Sequence, residues 1–150
     1  MLIGVGVGRE VEYALYSSIK NNNPNFVGFI VTKQSKGTLD RIIAEEGKGI
    51  RDIVHEHEIF LADNPEELNE TFRVCENAVH SLLRKGYARS EIVVDITSGT
   101  KVMSATIATL AVLYRLYSVT YVGGKHGTEG IVIKGTEKTA DLHLRFESLF

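Results

Sequence analysis

The chain has 150 residues, of which 43% are hydrophobic and 24% charged, and its formal net charge at pH 7 is −2. This length suits one domain with its own hydrophobic core, and the near-neutral charge argues against a non-specific coat for nucleic acid. The single cysteine excludes a disulfide framework and a multi-cysteine zinc site, and it favours a reducing, cytoplasmic compartment. No apolar run reaches the roughly 18 residues that a membrane span needs.

Strand and helix signals alternate from the first residues onward. The apolar segment Leu2–Val7 predicts a buried strand, and Arg9–Asn21 predicts a helix with apolar residues at helical spacing. The same criteria predict a strand at Phe26–Thr32, a helix at Gly37–Glu46 and a short strand at Glu58–Ala62. The stretch before that last strand fits neither pattern.

The clearest helix signal begins at Asn64. Asn64 is a suitable N-cap, Pro65 suits the first helical position, and Glu67 suits the capping box. An apolar stripe at helical spacing follows, and Gly86 fits the position just after the helix. This pattern predicts an amphipathic helix that packs on a sheet.

A strand, a turn and a second strong helix come next. Glu91–Ile96 predicts a strand, Thr97–Thr100 a turn, and Lys101–Leu116 a helix. Since that helix is apolar almost all round, we expect it to be buried on most sides.

The last third of the sequence predicts only strands and loops. Ser118–Val122 predicts a strand that runs into a loop opened by Gly123 and Gly124. Ile131–Lys134 and Ala140–Phe146 then predict a terminal antiparallel pair.

This order predicts an α/β fold, a Rossmann-like and mostly parallel sheet with helices on both faces and a C-terminal antiparallel β-hairpin. Ligands of such sheets bind beyond the carboxyl ends of the strands, where the strand order reverses. If the order is 3-2-1-4-5, the loops after the first and fourth strands face one crevice.

The loop after the fourth strand has the composition of a phosphate site. Gly99 allows a tight turn and a close ligand approach, and the helix that follows offers free N–H groups to an anion. Ser98 and Thr100 add hydroxyls, and Lys101 adds a positive charge. An ordinary helix cap uses much the same residues, so the local pattern leaves both interpretations open.

The loop after the first strand disfavours a nicotinamide-dependent oxidoreductase. Gly4, Gly6 and Gly8 alternate, but Arg9 stands where G-x-G-x-x-G needs its last glycine. No acid follows the second strand to hold a ribose, since Thr32–Ser35 stands there.

The segment Val93–Ala105 resembles the signature of CARF domains, the CRISPR-associated Rossmann-like sensors. The family pattern reads apolar-apolar-Asp-x-Thr-Gly-Gly-Thr-Lys-x-Met, followed by small residues. The positions that match are Asp95, Thr97, Gly99, Thr100, Lys101 and Met103. The sequence departs from the pattern at Ser98, where the family often has glycine.

The resemblance implies a single 1–150 sensor domain for cyclic oligoadenylate, the second messenger of type III CRISPR antiviral defence. It implies a homodimer with the ring across the two-fold axis, and an effector domain or protein not present in this chain. Neither a metal, a cofactor, a membrane nor direct DNA binding is implied. The residues that it assigns to the ligand are Gly8, Arg9, Gln34, Ser35, Thr97, Ser98, Gly99, Thr100, Lys101, Met103, Gly123 and Gly124.

A stand-alone, metal-independent ring nuclease is the alternative that the resemblance leaves open. A ribose 2′-hydroxyl would attack the adjacent phosphate and displace the oxygen of the next nucleotide, which leaves a cyclic phosphate end, and Lys101 would stabilise the developing charge. Such members often carry a hydroxyl in the first loop, and Val7, Gly8 and Arg9 have none. The sensor is therefore our first hypothesis.

Overall fold

Six strands of the computed structural model form one sheet, within described residues 1–7, 11–44, 50–125, 127–128, 133 and 135–144. The strands are β1 (Leu2–Gly4), β2 (Phe26–Thr32), β3 (Glu56–Ala62), β4 (Val93–Asp95), β5 (Ser118–Gly123) and β6 (Lys138–His143). The helices are α1 (Val11–Asn22), α2 (Lys33–Ala44), α3 (Ile50–Ile53), α4 (Leu68–Arg84) and α5 (Lys101–Leu113), with a short 3-10 helix at Arg89–Glu91.

The strand order is β3-β2-β1-β4-β5-β6. The first five strands pair in parallel, whereas β6 pairs with β5 in antiparallel register, with Ser118 opposite His143. The predicted α/β fold with an antiparallel edge is therefore confirmed. Most of Ile131–Lys134, the predicted partner of the last strand, lies outside the described residues.

The sheet separates two apolar layers, since successive side chains of a strand point to opposite faces. Leu2 and Ile30 contribute to the layer under α4 and α5. Ile3 and Phe29 contribute to the layer under α1, α2 and α3. Every residue of β2 is buried, which explains why its sequence is apolar without alternation.

Helix α2 begins at Lys33, directly after β2, rather than at Gly37 as predicted. The Thr32 amide donates to Ser35 Oγ at 2.8 Å, and the Ser35 amide donates to Thr32 Oγ1 at 3.0 Å. These reciprocal bonds stabilise an immediate helix start. Gln34 and Ser35 therefore lie in the first turn of a helix, whereas the sequence predicted no helix before Gly37.

The prediction of Asn64 as the N-cap of α4 is wrong, whereas the predicted end of the helix is confirmed. Helix α4 begins at Leu68, and the Glu67 carboxylate caps it by accepting from the amides of Asn69 and Glu70. The Glu70 carboxylate in turn accepts from the backbone and side-chain amides of Asn64, which holds the preceding segment in a turn. Gly86 has φ +92° just after the helix, as predicted.

Helix α5 is less buried in the single chain than its composition predicts. Val112 and Leu113 are 52% and 62% exposed, because α4 and the sheet cover only part of its circumference. The helix also ends at Leu113 instead of Leu116, and Arg115 has a left-handed φ of +53°. In the described part of the chain, no helix has both the length and the apolar character needed to cross a membrane.

Candidate anion-binding site

The centre of the sheet brings the two predicted loops together. Strands β1 and β4 are parallel neighbours, and Ile3 pairs with Asp95. The helix after β1 packs on one face and the helix after β4 on the other, so the strand order reverses here. The crevice beyond the ends of β1, β4 and β5 is therefore where a ligand of this fold is expected.

The two loops touch backbone to backbone, and the contact requires glycine. Gly99 has φ +92°, and a Cβ on it would lie 3.2 Å from the Gly4 Cα. A Cβ on Gly4 would lie 3.1 Å from the Ser98 carbonyl oxygen. Any side chain at either glycine would push the loops apart.

Ser98 adds a side-chain bond to this contact. Its Oγ accepts a hydrogen bond from the Gly6 amide at 3.0 Å, and the residue is only 8% exposed. The one departure from the family pattern thus lies between the loops.

A fully buried carboxylate lies beneath the loop. Asp95 Oδ1 accepts from the Thr97 amide at 2.9 Å. Its Oδ2 accepts from the Thr97 hydroxyl at 3.0 Å, the Thr120 hydroxyl at 2.9 Å and the Ser18 hydroxyl. Burial raises the pKa of Asp95, and these four bonds oppose the rise because they favour the ionised form.

The same loop is fixed to the end of β5. Thr97 Oγ1 accepts from the Val122 amide at 2.7 Å, and the Ile96 amide donates to the Thr120 carbonyl at 3.0 Å. Gly123 follows directly, and a Cβ on it would lie 2.9 Å from the Tyr121 ring. The Gly123–Gly124 segment is thereby placed beside the β4–α5 loop.

Helix α5 begins at the crevice with free donors. Thr100 is its N-cap, and the Thr100 hydroxyl accepts from the Met103 amide at 3.1 Å. The amides of Lys101 and Val102 have no intrahelical acceptor, and they carry the positive end of the helix dipole. The Lys101 side chain is exposed beside them. This arrangement is suited to bind an anion.

The structure brings most of the predicted ligand residues to this crevice, but not as one set of exposed side chains. The residues placed around the β4–α5 loop and the end of β5 are Thr97, Ser98, Gly99, Thr100, Lys101, Gly123 and Gly124. Met103 is fully buried, with its sulfur under Gly99, so it supports the loop from below.

Two further predicted residues, Gln34 and Ser35, directly follow Lys33 at the start of α2. Ser35 is buried against Thr32, whereas Gln34 is exposed in the first turn of α2. Gly8 and Arg9 lie outside the described residues.

Sequence reasoning missed Ser18 and Thr120 as supports of the site. Both are polar residues at positions where the surrounding pattern is apolar, one on the buried face of α1 and one in a buried strand. Asp95 was noted only as part of the signature. A polar residue in an apolar run was the available signal, but its partners are far away in sequence.

Among the described residues, no three His, Cys, Asp or Glu side chains lie close enough to hold a metal ion.

Cys75 is buried on α4, and burial raises its pKa to about 12.

Comparison with known proteins yields matches only among solved structures. No family model matches the chain. No curated protein matches it.

Three of these structures share its fold. Can2 from Sulfobacillus thermosulfidooxidans, in complex with cyclic tetra-adenylate, has a TM-score of 0.59 and 14% identity, over 82% of this chain and 32% of its own. Csm6 from Enterococcus italicus, bound to cyclic hexa-2′-fluoro-hexa-dAMP, has a TM-score of 0.60 and 14% identity, over 81% and 33%. Protein VC1899 from Vibrio cholerae has a TM-score of 0.59 and 14% identity, over 81% and 30%.

These matches establish the Rossmann-like fold that the sequence predicted. The chain spans about a third of the length of each of the three proteins. At this identity the likeness concerns the fold alone.

Replacing Thr120 by valine tests the hydrogen bond from the Thr120 hydroxyl to Asp95 beneath the loop. We expect the free energy of unfolding to fall by about 1–3 kcal/mol near neutral pH, because the buried carboxylate loses a donor. The Thr120 hydroxyl lowers the pKa of Asp95, which means that it stabilises the ionised carboxylate more than the protonated one. Lowering the pH protonates the group, so the donor then contributes less. The difference between wild type and Thr120→Val should therefore shrink as the pH falls.

Urea unfolding at about pH 7 and about pH 5 measures this difference. Thr120→Ser keeps the hydroxyl and is the matched control. A Thr120→Val loss that Thr120→Ser matches would show that Asp95 does not depend on this donor.

Proposed function

We propose that this chain is a CARF-like domain that binds cyclic oligoadenylate in the crevice beyond β1, β4 and β5. The observation that carries the proposal is the N-terminus of α5, with Lys101 beside it, lying where the strand order reverses. The fold is shared with Can2 and Csm6, whose structures contain cyclic adenylate ligands.

The chemistry of the crevice suits a ring of nucleotides joined by phosphates. Each phosphate carries one negative charge, which the amides of Lys101 and Val102 and the Lys101 ammonium would bind. Gly99 lets a phosphate approach the backbone closely. Gly123 and Gly124 would form the opposite side of the site.

A second copy of this chain completes the proposed site. The exposed flank of α5, from Lys101 through Ala105 and Thr109 to Val112 and Leu113, follows helical spacing. Its last two residues are apolar, and the Thr109 hydroxyl is bonded to the Ala105 carbonyl of its own helix at 2.8 Å. Two such flanks packed about a two-fold axis would bury this surface. With the two-fold axis running roughly along the two helices, both Lys101 side chains would lie at the same end of the interface, where a symmetric ring meets each equally.

The output of binding is proposed to be regulation of an effector outside these 150 residues. A ring nuclease remains the second candidate, because Lys101 lies at the helix end where developing phosphate charge would be stabilised. The two functions differ in whether the ring survives.

Titration calorimetry with cyclic tri-, tetra- and hexa-adenylate, in metal-free buffer, tests ring binding. We expect at least one ring to bind, and Lys101→Ala to weaken it about tenfold or more because a charged contact is lost. Lys20→Ala, which removes an exposed lysine in the last turn of α1, should leave the affinity unchanged.

Chromatography of the recovered ligand then separates the two candidates. An intact ring supports the sensor, and a linear product that ends in a cyclic phosphate supports the nuclease. Failure of wild type to bind any of the rings would refute the proposed function.

Leu113→Asp tests the proposed dimer. A charge in an apolar interface is costly, so we expect the variant to shift from dimer to monomer, with the dissociation constant raised at least about tenfold. Size-exclusion chromatography with light scattering measures the mass. Leu68→Asp is the control, because Leu68 is 59% exposed on α4, close to the 62% of Leu113. A monomeric wild type, or equal effects of the two variants, would contradict this interface.

A further inference from the structure

We infer that Ser98 is a positioning residue, which fastens the end of β1 to the anion-binding loop through the amide of Gly6. This role rests on the proposed function, because it concerns the same crevice, but its local effect is measurable without ligand. It assigns Ser98 a task other than the direct ligand contact that the family resemblance suggested.

The bond joins segments that are distant in sequence. Gly6 N–H donates to Ser98 Oγ at 3.0 Å across a separation of 92 residues. Ser98 is buried, so its hydroxyl lies between the loops rather than on the open surface of the crevice. A Cβ on Gly6 would lie 3.3 Å from both the Ser98 Oγ and the Gly99 amide, so the loops are already in close contact there.

The Gly6 amide needs this acceptor because the sheet no longer provides one. Strand β1 ends at Gly4, and the Val5 amide still donates to the Ile30 carbonyl at 2.8 Å. The next amide, that of Gly6, donates to the Ser98 side chain instead. A glycine at position 98 would leave a partly buried N–H without this bond, which is costly.

The consequence is a crevice that is ordered before the ligand arrives. With the hydroxyl present, the end of β1 and the β4–α5 loop move as one body. A ligand that contacts both loops then loses less conformational freedom on binding. Ser98 therefore acts on affinity through Gly6, without touching the ligand.

Ser98→Ala removes only the hydroxyl, and Ser98→Gly restores the residue that the family often has. Amide hydrogen exchange, followed by NMR on the ligand-free protein, reports the bond directly. We expect exchange at Gly6 to accelerate about tenfold in both variants, with little change at Ile3 in the core. The affinity for the ring that wild type binds should fall about three- to tenfold.

Thr106→Val is the matched control, because Thr106 is a buried residue of α5 whose hydroxyl has no hydrogen-bond partner. It should change neither Gly6 exchange nor ring affinity. A purely structural role of Ser98 would accelerate exchange at Ile3 and Gly6 alike, and would overturn the inference.

Unchanged Gly6 exchange in Ser98→Ala would also overturn it, as would unchanged ring affinity in a protein that binds the ring. If wild type binds no ring, the proposed function fails, together with the affinity role of Ser98. The exchange result then still decides whether the bond between the loops exists.

Discussion

The structure of the crevice depends on one buried carboxylate that is satisfied by neutral donors. Asp95 lies at the end of β4, and its oxygens accept from Thr97, Thr120 and Ser18. Because an unpaired buried charge is very costly, these donors and the carboxylate constrain one another. Helix α1, strand β5 and the loop before α5 are thereby held in one arrangement.

The proposed anion site does not require a positive net charge, and the chain carries −2. The site is built from the free amides of Lys101 and Val102, the helix dipole and one ammonium, which act within a few ångströms. Asp95 contributes geometry rather than attraction, because its carboxyl group is turned inward and fully covered. Net charge is therefore a poor guide to the ligand of such a domain.

Sequence periodicity predicted the regular elements well because burial sets that periodicity. The bounds of β2 and the first residue of α5 are both confirmed, since an apolar run and a threonine cap are local signals. The predicted starts of α2 and α4 were wrong because side-chain hydrogen bonds determine where these helices begin. Thr32 and Ser35 bond to each other at the start of α2, and the Glu67 carboxylate caps α4.

The interior of the site was harder to predict because its contacts are not local. The signature identified the loop residues Thr97 to Lys101, and the structure places them at the crevice beyond the carboxyl end of β4. It gave no sign that Ser18 would bond to Asp95, or Ser98 to Gly6, over separations of 77 and 92 residues. Which residues pair in this way depends on the order of the strands in the sheet. The alternation of strand and helix signals along the sequence does not determine that order.

The most direct measurement is an NMR titration of the labelled protein with the cyclic oligoadenylate that binds it. The account predicts the largest amide shifts at Gly99 through Val102 and at Gly123 and Gly124, with saturation at about one ring per two chains. Shifts confined to the opposite end of the sheet, around Asn22 to Phe26, would contradict the proposed site. Saturation at one ring per chain would contradict the shared, two-fold arrangement.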